Sequence, residues 1–446
     1  MKRIFVIYIL STILIVLILG VAFFDRYLEF WDVFVINLGY ILAFTMVVLF
    51  LLSRKNIRVR HLLFFSFVVP FTAGCIYVFS INQHTDLLFQ YVPSDAPFYD
   101  QAGRQVSKDN VFMGINELMS ETKYGLDDMG MIFYVANLYK IIDSPLFVKF
   151  VNLLVNLLNT FLIFKISHKF MLKRYAIFAA LCFSISSFNI WFLISGLKEP
   201  VMLFFILVFF YFMLQFSLNN RKVFLFLMLC SGLMLGFFRI EVALFLFIAA
   251  LGGMLFRNGL NLKKILVASV LFLSVLSVIF IFREPLKIVN FNRQNATVYK
   301  GEEQASKISL PIVVVSGVIG PLPTLIPHAR KRLSDVSVFG ASLILKMAIS
   351  FFAIIGLFYV FRDSHHHLLP IVSFTLLETL GLIIIDSTFK LRYSLPHLPF
   401  MYILGFFGMY YLFEKGIKYK KLIIEVALGF QIGTIGLALL WNVLRM

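Results

Sequence analysis

Pro93-Ser94-Asp95-Ala96-Pro97-Phe98-Tyr99-Asp100-Gln101-Ala102, followed by Tyr124-Gly125-Leu126-Asp127-Asp128-Met129-Gly130, is a polar island inside an apolar chain. It belongs to a stretch, 83–143, with long apolar runs on either side. Runs of about 20 such residues match the roughly 30 Å of hydrocarbon that a membrane helix must cross. Of the 446 residues, 61% are hydrophobic and only 14% are charged. A soluble multidomain chain does not look like this. The expected fold is therefore an all-α polytopic integral membrane protein, one transmembrane domain over 1–446, with about 13 transmembrane helices. Two long external loops interrupt it, 83–143 and 283–337, each with room for short surface helices.

Charge sets the expected topology. The net charge is +17, which in a soluble protein would suggest nucleic acid. Here Lys and Arg gather in short segments between spans, such as Ser53-Arg54-Lys55-Asn56-Ile57-Arg58-Val59-Arg60. That is the pattern of cytoplasmic loops, and no nucleic-acid partner is expected. Met1-Lys2-Arg3 puts the N-terminus inside, with the first span (Ile4 to Phe24) retained as a helix. The second and third spans (Val33 to Leu52, Leu62 to Ile81) then place 83–143 outside the cell membrane. Most of the acids fall on that same side. Only Asp363, Glu414 and Glu425 fall at the inner face, and Glu378 lies within a span. Cys75, Cys182 and Cys230 sit far apart in apolar runs and read as buried thiols rather than metal ligands.

The candidate chemistry lies on the outer side. Asp95, Asp100, Asp127 and Asp128 are candidate catalytic carboxylates, with Tyr99 beside them. Asp95, Tyr99 and Ala102 have the spacing of one helix face, and a carboxylate at an apolar boundary can serve as a general base. Three hairpins place a cation on the same side. Lys198 and Glu199 lie in Ser195-Gly196-Leu197-Lys198-Glu199-Pro200, Arg239 and Glu241 in the next outer hairpin, and Arg392 and Tyr393 before a late helix. Such cations can hold a phosphate, and together these residues form the expected substrate and phosphate site. Lys346 and Glu378 lie in neighbouring spans and read as an interhelical ion pair. The His365-His366-His367 tract is cytoplasmic, and no metal site is expected there or elsewhere. No P-loop, GxGxxG after a strand, HExxH or GxSxG is present, so if the chain is a transferase its activated donor must reach it through the membrane.

Three of these stretches carry a family resemblance. Ser94-Asp95-Ala96-Pro97-Phe98-Tyr99-Asp100-Gln101-Ala102 is similar to the first external loop of the membrane-embedded C-type glycosyltransferases (GT-C), the superfamily of protein mannosyltransferases and aminoarabinose transferases. Ser195 to Pro200 resembles their short outer turn before a long apolar helix. Leu391-Arg392-Tyr393-Ser394-Leu395-Pro396-His397-Leu398-Pro399 resembles their RY-x-x-P-x-x-P entry to a late helix. The resemblance implies an inverting transfer from a polyprenyl-phosphate sugar to a glycan or lipid acceptor on the external face, in cell-envelope polysaccharide biosynthesis. Asp95 would be the base, and Lys198, Arg239 or Arg392 would stabilise the leaving phosphate. The lipid-linked sugar is the donor, and a divalent cation is the one candidate cofactor. Two departures are visible: two helices precede the acidic loop, and no large soluble C-terminal domain follows. Two other readings stay open. One is an O-antigen or capsule-type polymerase or ligase using a polyprenyl-pyrophosphate oligosaccharide through Arg293, Arg330 and Arg332. The other is a lipid-linked glycan transporter.

Overall fold

Segment 173–194 is the centre of the molecule, and every side chain from Tyr175 to Ile194 is buried. In the computed structural model the described residues are 31–54, 57–85, 95–108, 110–121, 126–255, 340–363, 365–384, 394–415 and 420–444, with four single positions before them (10, 13, 17 and 18). Among these the protein is all-α. The helices are α1 (Trp31–Ser53), α2 (Val59–Thr85), α3 (Asp95–Ser107), α4 (Val111–Glu121), α5 (Leu126–Tyr139), α6 (Pro145–Ser167), α7 (Lys173–Ser184) and α8 (Ser187–Ile194). They continue with α9 (Glu199–Asn219), α10 (Lys222–Gly236), α11 (Ile240–Leu255), α12 (Gly340–Arg362), α13 (Leu369–Ile384), α14 (Leu398–Glu414) and α15 (Lys420–Leu444).

Five of these helices are long and apolar enough to cross a membrane, and α7 with α8 makes a sixth if the bent pair is one span. Four more apolar helices are shorter. The chain is thus a multi-pass membrane protein. The expected first span and the spans and loop expected within 256–339, including Arg293, Arg330 and Arg332, lie outside the described residues, apart from those single positions. Cys182 is buried as expected, but Cys75 is exposed on the bundle surface. An apolar run in a membrane helix need not face protein, because lipid accepts a small thiol equally well.

The apolar run 175–193 is not one straight helix. α7 and α8 meet at a bend of 50°. Side chains satisfy the backbone that the bend frees, as a membrane interior requires. Tyr40 Oη donates to the Ile185 carbonyl (2.7 Å), and Ser187 N–H donates to Ser342 Oγ (2.6 Å). Asn189 Nδ2 donates to the Ser184 carbonyl (3.0 Å) and to Asn156 Oδ1 (2.8 Å). Ser186 caps α8 by accepting the Asn189 N–H (3.2 Å).

Around this centre α6 and α14 pack on α7, α2 lies against both α7 and α8, α9 lies along α6, and α12 lies along α14. That last seam is built from small residues. A Cβ on Gly408 would overlap the Phe352 carbonyl oxygen, and one on Gly356 would overlap the Leu404 carbonyl oxygen. Van der Waals contact between closely approaching backbones holds such a seam. Gly408→Val is therefore expected to destabilise the fold by about 3 kcal/mol, the upper end for overpacking. A thermal unfolding curve in detergent would register this as a lowered midpoint, and an unchanged midpoint would refute the seam.

Candidate active site

α3, α4 and α5 pack together as a cap on one end of the bundle. α3 is amphipathic and buries Ala96, Tyr99, Ala102, Gly103 and Val106. These lie against α5, where Met131, Ile132, Val135 and Ala136 are buried. The cap is tied down at Gly130, whose N–H donates to the Phe237 carbonyl at 2.9 Å. A Cβ at Gly130 would sit 2.7 Å from that oxygen, so only glycine allows the approach.

The cap and the turn before α9 meet at Asp128. Its Oδ1 accepts from Tyr99 Oη at 2.7 Å and from Lys198 Nζ at 2.6 Å. The Lys198 side chain is 5% exposed and that of Asp128 is 22% exposed. A buried ammonium demands such a partner. Gly196, at φ 72°, turns the chain between α8 and Lys198. Three segments distant in sequence thus converge on one carboxylate. Asp95 is the first residue of α3, one helical turn before Tyr99, and half-buried.

A second cluster lies on the other side of α3. Asp100 accepts a hydrogen bond from Tyr139 Oη and, at 3.3 Å, from Arg104 Nε. Arg104 also pairs with Asp143 and lies 4.8 Å over the Tyr139 ring. Burial, and then the bond to Asp100, push the Tyr139 phenol above its ordinary value. The phenol holds its proton more tightly in the folded state, so its contribution to stability is intact below about pH 10, the ordinary phenol range. That contribution is lost as pH rises through the raised value. Tyr139→Phe is expected to flatten the fall in thermal midpoint above about pH 10. Identical alkaline profiles for the two proteins would contradict it.

The remaining expected residues are placed as follows. Asp127 is in the first turn of α5, and Glu199 is fully buried at the start of α9. Arg239 and Glu241 are half-buried at the start of α11. The expected Lys346–Glu378 ion pair is not among the ion pairs of the described residues, although both side chains are buried. Helix packing decides this, since α13 lies along α11 and α12 along α14. Arg392 and Tyr393 lie outside the described residues. Of the histidine tract, His367 Nδ1 is 2.9 Å from Ser217 Oγ and His365 contacts Tyr411. Among the described residues no group of three His, Cys, Asp or Glu is arranged to hold a metal ion. Sequence reading missed Arg104, Tyr139 and the polar face of α6, which carries Lys149, Asn152, Asn156 and Asn159. Their spacing of three and four inside an apolar run was the available signal.

No family model matches the chain, and no curated protein matches it. Solved structures do. The apo crystal structure of the oligosaccharyltransferase of Archaeoglobus fulgidus matches with a TM-score of 0.51 and 11% identity, over 85% of this chain and 55% of that one. The archaeal oligosaccharyltransferase of the same organism, in complex with an inhibitory peptide and a dolichol-phosphate, matches at a TM-score of 0.45 and 12% identity, over 84% and 54%. The chain spans about half the length of the solved structures it matches. The first likeness is one of fold: the chain shares the membrane fold of that oligosaccharyltransferase over about half of its length.

Proposed function

We propose that the chain is a GT-C-type inverting glycosyltransferase that moves a sugar from a polyprenyl-phosphate donor to a glycan or lipid acceptor on the external face of the cell membrane. The observation that carries this reading is the convergence of Tyr99, Asp128 and Lys198 beneath the first turn of α3. A nearly buried cation at the membrane-facing side of a carboxylate cap suits a lipid whose head group is a phosphate. In this reading the Asp95 carboxylate takes the proton of the acceptor hydroxyl as its oxygen attacks the anomeric carbon of the sugar. The bond from that carbon to the phosphate oxygen breaks, and the polyprenyl phosphate leaves with the electron pair. Lys198 and Arg239 hold the leaving phosphate, a kind of charge stabilisation that often contributes most to lowering the barrier. Asp128 and Tyr99 orient Lys198 for it.

Native mass spectrometry of the detergent-purified chain tests the reading, wild type beside Asp95→Asn. A co-purified polyprenyl monophosphate, or its glycosylated form enriched in the variant, is the expected result. A pyrophosphate-linked oligosaccharide would replace this reading with the polymerase or ligase. Ordinary phospholipid alone in both samples would overturn it. Transfer assays with and without EDTA test the divalent cation.

A further inference from the structure

α6 carries a stripe of polar residues, Lys149, Asn152, Asn156 and Asn159, on one face of an otherwise apolar helix. All four are buried, Lys149 at 7% exposure and the asparagines at 1% or less. Two of them reach the end of α8. Lys149 Nζ donates to the Ile194 carbonyl, and Asn152 Nδ2 donates to the Leu193 carbonyl at 3.3 Å. A third lies beyond the turn, where Asn159 Nδ2 donates to the Pro200 carbonyl at 3.1 Å. Ser195 to Lys198 is thus gripped on both sides by one helix. The Asn152 amide is itself held, because its Oδ1 accepts from Tyr134 Oη of α5 at 2.9 Å.

The placement of Lys149 is unusual for its own helix. It sits in the second turn of α6, where the helix dipole disfavours a cation. The C-terminal carbonyls of α8 supply the compensating negative end, and Asp100 adds its charge from the cap. A lysine at that position is costly unless the α8 end is there to receive it.

We infer that Lys149 is a positioning residue: by clamping the C-terminal carbonyl of α8 it sets where Lys198 lies against Asp128. The inference rests on Lys198 being the group that holds the phosphate, but its test does not. A water-soluble carbodiimide activates the partly exposed Asp128 carboxylate, and the adjacent Lys198 amine then closes an isopeptide bond with loss of water, taken up as the urea. Peptide mapping of the full-length protein in nanodiscs reads the yield. The wild type is expected to give the Asp128–Lys198 product. Lys149→Met should lower the yield about tenfold, since a shift of about 1 Å suffices to spoil such a reaction. Lys149→Arg, which keeps a cation on the Ile194 carbonyl, should restore most of it. A wild-type yield in Lys149→Met overturns the inference, and so does the absence of product in the wild type. Should Lys149→Met fail to give folded protein, Asn152→Ala removes the neighbouring clamp, and an undiminished yield there overturns it equally. Binding of geranylgeranyl monophosphate is measured on portions of the same proteins never exposed to carbodiimide. A clamp-dependent yield without any lipid binding sinks the proposed function and leaves the clamp standing.

Discussion

Lys198→Met is expected to abolish sugar transfer while leaving the protein folded. The loss should reach about 10³-fold, as when one preorganised group facing the developing charge is removed. The two partners of the pair should differ in stability. Methionine at 198 keeps the length of the buried side chain and leaves Asp128, which is partly exposed, able to turn to water and Tyr99. Asp128→Ala instead strands an ammonium that is 5% exposed, which costs about 3 kcal/mol or more. The measurement pairs a transfer assay with thermal unfolding of both variants. A Lys198→Met protein that transfers sugar at the wild-type rate would end the proposed role. If Asp128→Ala melts at the wild-type temperature, the ion pair contributes little and Lys198 is held by something else.

Asp95→Asn is the second large effect, and it differs in kind. The amide is isosteric with the acid, so α3 and its packing on α5 should be unchanged. Turnover should fall by about 10²- to 10⁴-fold, the usual contribution of general base catalysis. Donor binding should persist, because the phosphate is held elsewhere. Binding and turnover therefore separate the two residues: Lys198→Met loses both, and Asp95→Asn loses turnover alone. Were Asp95→Asn to weaken binding and turnover equally, Asp95 would be a binding group and the base would have to be sought among Asp100, Asp127 and Asp128.

Much of the bundle was legible because apolar length is a strong signal. The expected spans at Val33 to Leu52 and Leu62 to Ile81 correspond to α1 and α2. The short helix starting near Asp95 was legible from its facial spacing, and Tyr99 and Ala102 do share its buried side. The break at Ile185-Ser186 was not. It contains neither proline nor glycine, and its groups are satisfied by Tyr40, Asn156 and Ser342 from three other helices. Nothing within the segment announces it. The Asp128–Lys198 contact joins residues 70 apart. Charge topology could place the two on one side of the membrane but could not pair them. For Glu378 topology suggested Lys346, but α13 packs along α11 and α12 along α14, and helix adjacency, rather than depth, selects what a buried charge meets.

The bend between α7 and α8 also constrains how the protein is made. Ser187 is held through both its N–H and its hydroxyl by Ser342, which lies 155 residues later in the chain. Synthesis runs from the N-terminus at about 5–20 residues per second, so Ser342 emerges many seconds after the bend has entered the membrane. Through that interval segment 173–194 lacks part of the support for its bent form. Completion of the centre is thereby postponed until α12 arrives, and a chain cut short before residue 340 would be recognisable to quality control as unfinished.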